Sequence, residues 1–481
     1  MMQPVRRSTL MVVSAFVAWL AAAESVAATL SALSTTSAPK AARLKLTGAG
    51  FGASQASSVV MIGGASAPVS RWSDTQITAY VPEGSALGSV PVSVVVDALP
   101  SNSLTMVVSD RVASGRVRWR LQTERSVRSR SAVAPDGTVL VLDLSGTLYA
   151  VTPSGGVKWI TRPVGIGQNP VAVGADGVAY VAGDGALVAI NPDGTEKWRF
   201  IDTTGSFGAG PGVGPDGNIY AVSETTVGGG MGALILSPSG QRLYSQPGYR
   251  HVYGTAGLPR EITFGSGQWY FQLGDATNTG GALQALQLGG GRRWAVQVDK
   301  YTGAAAIGPD GRVYVRMGAQ RIAALSPSTG AVLNTFNYPN NLNSDWANPD
   351  VGSDGSVYVA ASFGSTFGLT ATLTQKWSSA GNSVSADFAV SPNASLAVYT
   401  GYNLGSPGRI LAHAPTGTLK WTESLPSENG GNMMAASRPR FSNDSATVYV
   451  GTSTNDYATD PYGYLYALAT GASTSTSLLG D

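Results

Sequence analysis

The stretch Pro135-Asp-Gly-Thr-Val-Leu-Val-Leu-Asp-Leu-Ser-Gly-Thr-Leu-Tyr-Ala-Val-Thr-Pro-Ser-Gly-Gly-Val-Lys-Trp159 carries the unit from which most of this chain is built. A Pro-Asp-Gly turn opens it and an apolar strand follows. A further strand runs Leu148-Tyr-Ala-Val151, and a Pro-Ser-Gly turn then leads to Trp159. Asp-Gly between apolar runs is a hairpin signal, because glycine adopts the positive φ that tight turns require. The turn recurs at Ala175-Asp-Gly177, Pro215-Asp-Gly217, Pro309-Asp-Gly311 and Ser353-Asp-Gly355, and the strand at Leu187-Val-Ala-Ile190 and Leu465-Tyr-Ala-Leu468. Gly-x-x-x-Trp recurs at Gly115/Trp119, Gly155/Trp159, Gly194/Trp198, Gly290/Trp294 and Gly417/Trp421. Tyr244 replaces the indole after Gly240, Trp377 keeps it without the glycine, and Gly330 is followed by Asn334 with Phe336 nearby. The seven intervals from Trp119 to Trp421 set a repeat of about 43 residues.

Each repeat therefore holds four short strands. A lone sheet of that size exposes both faces and is marginal, whereas radial stacking buries them. The last repeat has a turn near Asn443-Asp444 and strands from Thr447 and Tyr464, but no Trp strand after it. The Trp119 strand stands unpaired before the first complete repeat. Joining the two predicts an eight-bladed β-propeller closed by its N- and C-terminal strands, which removes a pair of exposed edges. Trp119, Trp159, Trp198, Tyr244, Trp294, Trp377 and Trp421 are expected to anchor the blades.

Ahead of the repeats, residues 28–110 read as a separate β-domain. Leu44, Leu46, Val59, Met61, Ile77, Ala79, Val81, Val92, Val94 and Val96 fall on period-two spacings, as half-buried strands do. The run Leu44-Lys-Leu-Thr-Gly-Ala-Gly-Phe-Gly52, then Val60-Met-Ile-Gly-Gly64, Trp72-Ser-Asp-Thr-Gln-Ile77, Val81-Pro82 and Ser101-Asn102 resembles the IPT/TIG domain. That resemblance implies an immunoglobulin-like sandwich, serving as a spacer or packed beside another domain. Trp72 is expected in its core. The expected fold is thus all-β, a sandwich followed by a propeller over residues 111–471, with a short tail at 472–481.

Arg6 and Arg7 precede an apolar run from Leu10 to Ala23, with Ala-rich exits. This is the pattern of a secretory signal peptide over residues 1–27, with cleavage after Ala23 or Ala27. The run is shorter than the roughly 20 residues that span a bilayer. A soluble periplasmic or extracellular protein without a membrane span is expected. Charged residues are 12% of the chain and the net charge is +2, so charge-driven nucleic-acid binding is disfavoured. With no cysteine there is no disulfide, thiolate metal site or cysteine nucleophile.

The Gly-x-x-x-Trp signature after a Leu-Tyr-Ala-Leu-type strand resembles the pyrroloquinoline-quinone-type propeller repeat, over roughly residues 112–471. That family includes quinone-dependent dehydrogenases and the cofactor-free propeller scaffold of outer-membrane protein assembly. The dehydrogenases commonly place a vicinal disulfide over the quinone and carry long insertions; this chain has no cysteine and short repeats. The scaffold is normally a lipoprotein, and the cysteine that bears its lipid is absent here.

His251 and His413 are the only histidines, too few for a multi-histidine metal centre. His413 takes the apolar position of its repeat and reads as a buried histidine satisfied by backbone. The Pro-Asp-Gly turns lack the clustered carboxylates that calcium needs. No catalytic residue, metal site or cofactor is assigned. Links within each half of a repeat are tight, whereas long ones gather on the opposite face. Those long links carry Tyr249, His251, Tyr253, Tyr338, Asn340, Asn341, Asp345, Trp346, Tyr402, Tyr457 and Tyr462, aromatic and amide groups that suit a protein or glycan ligand. Arg116, Arg118 and Arg120 share one strand face, as a solvated edge or an anionic contact. The leading expectation is an exported, monomeric, non-enzymatic binding protein or scaffold. The alternative is a carbohydrate-active lyase or hydrolase using Asp345, Asp456, Asp460 and Glu261, and a third reading is a quinone-dependent dehydrogenase.

Overall fold

The computed structural model describes residues 27–165, 169–203, 205–225, 230–250, 261–274, 281–298, 304–317, 321–337, 348–360, 365–379, 384–401, 407–428, 431–435, 437–454 and 462–471. Every regular element among them is a β-strand.

The N-terminal unit is a two-sheet sandwich. One sheet orders Thr29–Leu33, Arg43–Ala49, Gln76–Tyr80 and Val69–Trp72; the other runs through Ser37–Pro39, Leu104–Ser109, Gly88–Val96, Val59–Ile62 and Ala65–Ala67. Leu44, Leu46, Ile77, Ala79, Val92 and Val94 close its core from both sheets. In the strand Val59–Ile62 the inward pair is Val60 and Ile62, not Val59 and Met61. Val60 lies opposite Val94 and Ile62 opposite Val92, so cross-strand partners choose the buried face. Trp72 sits half-buried at the margin of this core, edge-on to Phe51 and donating its indole N–H to the Phe51 carbonyl at 2.9 Å.

The repeats form propeller-like sheets, labelled I to VIII here in chain order. Sheet I orders Ala132–Val133, Val139–Leu142, Leu148–Val151 and Val157–Thr161, each antiparallel to the next. Sheets II to VII repeat that order over 172–201, 205–250, 263–298, 306–337, 350–379 and 384–424. Sheet VIII combines Arg440–Phe441, Thr447–Thr454 and Tyr464–Ala469 with Val117–Gln122 from far upstream. In that last pairing Trp119 lies opposite Ala467 and Leu121 opposite Leu465. Buried apolar clusters join each sheet to the following one; one of them links VII to VIII and another VIII to I.

The structure explains the Gly-x-x-x-Trp signature as a contact between repeats rather than within one. Trp119 of sheet VIII lies on the turn of sheet I, where a Cβ on Gly155 would stand 2.5 Å from the indole. Gly155 also has φ +94°, which disfavours any side chain. The Trp119 N–H donates to the Pro153 carbonyl of the same turn at 2.8 Å. Trp159, Trp198, Trp294 and Trp377 donate likewise to Pro192, Pro238, Pro327 and Pro415, each in the following sheet, and Trp421 donates to Thr470. Tyr244 keeps the stacking against Gly290 and accepts the Gly291 N–H at 3.1 Å. A register shift recurs just before the indole, between Ala150 and Val151 in sheet I and between Ala189 and Ile190 in sheet II. It leaves one extra residue, Lys158 in sheet I, between turn and ring. Phe336 instead packs edge-on against Phe367 of sheet VI at 5.2 Å.

Candidate functional site

The first strand of each sheet lies innermost. Ala132–Val133 touches both Ala172–Val173 and Arg440–Phe441, and the first strands of sheets IV to VIII form a similar unbroken chain of contacts. Charged residues stand where the chain enters these strands. Arg130, Glu261 and Arg438 each lie two positions before the first strand of sheets I, IV and VIII, while Asp350 and Arg440 begin the first strands of VI and VIII. Sheets I, IV, VI and VIII are spread around the propeller, so these residues meet only across its middle.

One Glu261 carboxylate oxygen accepts from Arg438 Nη1 at 2.8 Å and from Arg130 Nη1 at 3.0 Å. The other arm of Arg438 reaches Asp350 at 3.3 Å, and its Nε donates to the Phe388 carbonyl at 2.8 Å. Asp350 is fixed in turn by the N–H groups of Val351 and Val390. Burial opposes ionisation of Glu261, but Arg130, Arg438 and Arg440 outweigh it and hold its carboxyl below the ordinary range. Arg440 is pushed down to about 10, first by the like charge of Arg130 and then by burial. The Nε atoms of Arg130 and Arg440 are buried with no hydrogen-bond partner among the described residues.

A second charged cluster joins sandwich to propeller. Glu124, buried between the two, accepts from Arg43 at 2.7 Å, Arg71 at 2.7 Å and the Ser70 hydroxyl at 2.7 Å. Its backbone N–H is shared between Asp143, at 3.1 Å, and the Tyr149 hydroxyl, at 2.9 Å. Tyr80 of the sandwich packs edge-on against Tyr149 and donates to the Gln122 carbonyl at 2.8 Å. Beside this junction a cleft of about 650 Å³ runs between the sandwich and sheet VIII, lined by Arg120, Trp119, Glu423 and Tyr464.

Of the loop residues expected to bind ligand, Tyr462 is half-buried and edge-on to Tyr464 at 5.7 Å. Tyr338, Asn340, Asn341, Asp345, Trp346, Tyr402, Tyr457, His251 and Tyr253 lie outside the described residues, as do Asp456, Asp460 and residues 1–26; so does the side chain of Tyr249. His413 is buried, stacked 5.3 Å from Trp377, and bonded to the Gly417 carbonyl and the Tyr399 hydroxyl. Burial lowers its pKa, which keeps it a neutral core residue. Arg116 lies over the Trp421 ring at 4.9 Å, Arg120 over Tyr464 at 5.1 Å, and Arg118 donates to Thr447. Sequence reasoning missed Arg130, Asp350, Arg438, Arg440 and the whole Glu124 cluster. An alignment of the repeats would have flagged the first group, since Pro170 and Ala304 occupy the matching position in sheets II and V.

Glu261 is thus an ionised partner of arginines. A glycosidase acid must instead hold its proton near neutrality, which takes a raised pKa. Among the described residues no group of three or more His, Asp or Glu is arranged to hold a metal ion, and the chain has no cysteine. These residues do not fit the calcium and vicinal disulfide that the quinone reading calls for. No described helix is long and apolar enough to cross a membrane.

Four-stranded sheets with innermost first strands and ring-to-turn locks define a β-propeller, here preceded by an immunoglobulin-like sandwich. The family described as outer membrane protein assembly factor BamB matches residues 105–246 and 279–471, and the chain belongs to it. The IPT/TIG domain pattern matches residues 28–108. Among solved structures, BamB from Moraxella catarrhalis is 12% identical with a TM-score of 0.51, covering 73% of this chain and 99% of that one. Quinohemoprotein alcohol dehydrogenase from Comamonas testosteroni is 13% identical at TM-score 0.54, covering 77% and 80%. The Dos1 propeller is 12% identical at 0.50, covering 74% and 96%. Identities this low establish the shared fold alone, and these neighbours do not favour the carbohydrate-active alternative. No curated protein matches the chain.

Proposed function

We propose that this chain is an exported, monomeric, non-enzymatic scaffold. In this reading residues 111–471 close as an eight-bladed ring, and the long links of one face hold a protein partner. The antiparallel pairing of Val117–Gln122 with Tyr464–Ala469 supports the closure. The signal-like segment at residues 1–27 supports export to the periplasm or beyond. One observation carries the functional reading: Glu261, the catalytic candidate among the described residues, is committed to Arg130 and Arg438, in a chain whose family is that of an assembly factor. The sandwich is a fixed second contact rather than a loose spacer, because Glu124 and Tyr80 bind it to the flank of the propeller. Tyr249, His251, Tyr253, Tyr338, Asn341, Asp345, Trp346, Tyr402, Tyr457 and Tyr462 are the proposed contact residues.

The test is cross-linking of the purified mature protein in an outer-membrane and periplasmic extract, beside a variant whose residues 338–347 are replaced by Gly and Ser. Capture of a defined protein by the wild type, lost in the variant, is the expected result. Turnover of a polysaccharide, or dye reduction after adding quinone and calcium, would overturn the proposal.

A further inference from the structure

The axial cluster contains more cation than anion. Arg130, Arg438 and Arg440 face Glu261 and Asp350, which leaves one positive charge uncompensated among the described residues. Arg438 is consumed by both carboxylates and a carbonyl, whereas Arg130 and Arg440 each keep a buried Nε–H without a partner among the described residues. A buried donor without an acceptor is unfavourable, and an anion bound beside these two would satisfy them together with the surplus charge. Because Arg130, Glu261 and Arg438 stand just before the innermost strands, the cluster lies at the end of the propeller where the links between sheets run.

We infer that Arg130 and Arg440 form a receptor for a single carboxylate group at that end of the axis. The surplus charge is one, which a carboxylate neutralises. Arg130 already holds one carboxylate oxygen, that of Glu261, and the fixed fork of a guanidinium group matches a planar two-oxygen acceptor. A phosphate dianion would bring a second negative charge toward Glu261 and Asp350 and is disfavoured by repulsion. The carboxylate comes from a small free acid or from an acidic side chain of a bound protein. The inference deepens the scaffold reading and rests on it for the second source alone.

The experiment titrates the mature chain with acetate, an acetylated and amidated Glu-containing tetrapeptide, phosphate and chloride. Calorimetry and thermal shift at low ionic strength are the readouts, since salt screens such contacts. Binding of acetate or the peptide below about 10 mM is expected, weakened about tenfold or more by R440Q and by R130Q. E261Q should tighten it about tenfold, because the competing internal carboxylate loses its charge. That opposite sign distinguishes ligand contact from a folding defect. Tighter binding of the peptide than of acetate identifies a side-chain source, and the reverse a free acid. No carboxylate binding, equal or stronger binding of phosphate or chloride, or affinity unchanged in R440Q and R130Q would overturn the receptor. The titration uses no partner protein, so its result stands even where the search for a partner fails.

Discussion

Two carboxylates, the buried Glu124 and the largely buried Glu261, are each gripped by two arginines, and they do different things. At the junction of sandwich and propeller, Arg43, Arg71 and Ser70 converge on Glu124. Neighbouring Asp143 is held by N–H groups of Glu124, Arg125, Ser145 and Thr147. Donors and acceptors there are matched, and the cluster works as a lock. On the axis, Arg440 faces the same carboxylate as Arg130 and Arg438 without a bond of its own to it, and is pushed down to about 10 by the like charge of Arg130. Ion pairs alone do not distinguish a structural joint from a binding site. The balance of charge and the fate of each N–H do.

The contrast can be broken at either cluster, and the largest effect is expected at the junction. Glu124→Ala leaves Arg43 and Arg71 without their carboxylate and should lower stability by about 4 kcal/mol. In limited proteolysis the variant should be cut near residues 110–116, and a loss below about 0.5 kcal/mol by chemical denaturation would end the idea of a lock. Acid should mimic that substitution. Burial opposes the charge of Glu124, but Arg43 chiefly holds its carboxyl below the ordinary 4.5. Its contribution is therefore complete above that pH and lost as pH falls through the depressed folded value. Asp143 is raised by burial and works in the opposite sense, so its protonation relieves the fold. The Tm gap between wild type and Glu124→Ala should accordingly narrow as the pH falls below the ordinary 4.5.

On the axis the expected effects are smaller. Glu261→Gln keeps an acceptor for Arg130 and Arg438 and should destabilise by about 2 kcal/mol in urea titration. At the junction again, Tyr80→Phe removes the bond to the Gln122 carbonyl and should lower stability by about 1 kcal/mol, with the ring packing kept. Arg440→Gln is expected to change stability by no more than about 0.5 kcal/mol, in the stabilising direction, because a repelled charge is removed. A large loss in Arg440→Gln would make the axial cluster a second lock and erase the contrast.

Much of this architecture could be read from the chain because it rests on local chemistry repeated many times. The Asp-Gly turns and the Leu-Tyr-Ala-Leu strands each act within a few residues, and the spaced indoles mark their period. The partner of each indole was not visible, since Trp119 answers to Gly155 in the following repeat and Trp421 to Thr470 near the far end of the chain. The sandwich shows a similar boundary: alternation marked Val59 to Ile62 as a strand, while Val92 and Val94 chose which face turned inward. Glu261 was visible as a carboxylate, but its arginines come from positions more than a hundred residues away in either direction.

The sequence alone determined that the protein is a sandwich followed by a propeller of short four-stranded sheets, because strand period and turn geometry are properties of neighbouring residues. Only tertiary structure decided which charges meet. The axis and the domain junction gather side chains from opposite sides of the fold, and whether such a group is a balanced lock or keeps a spare cation depends on distances that no local pattern encodes.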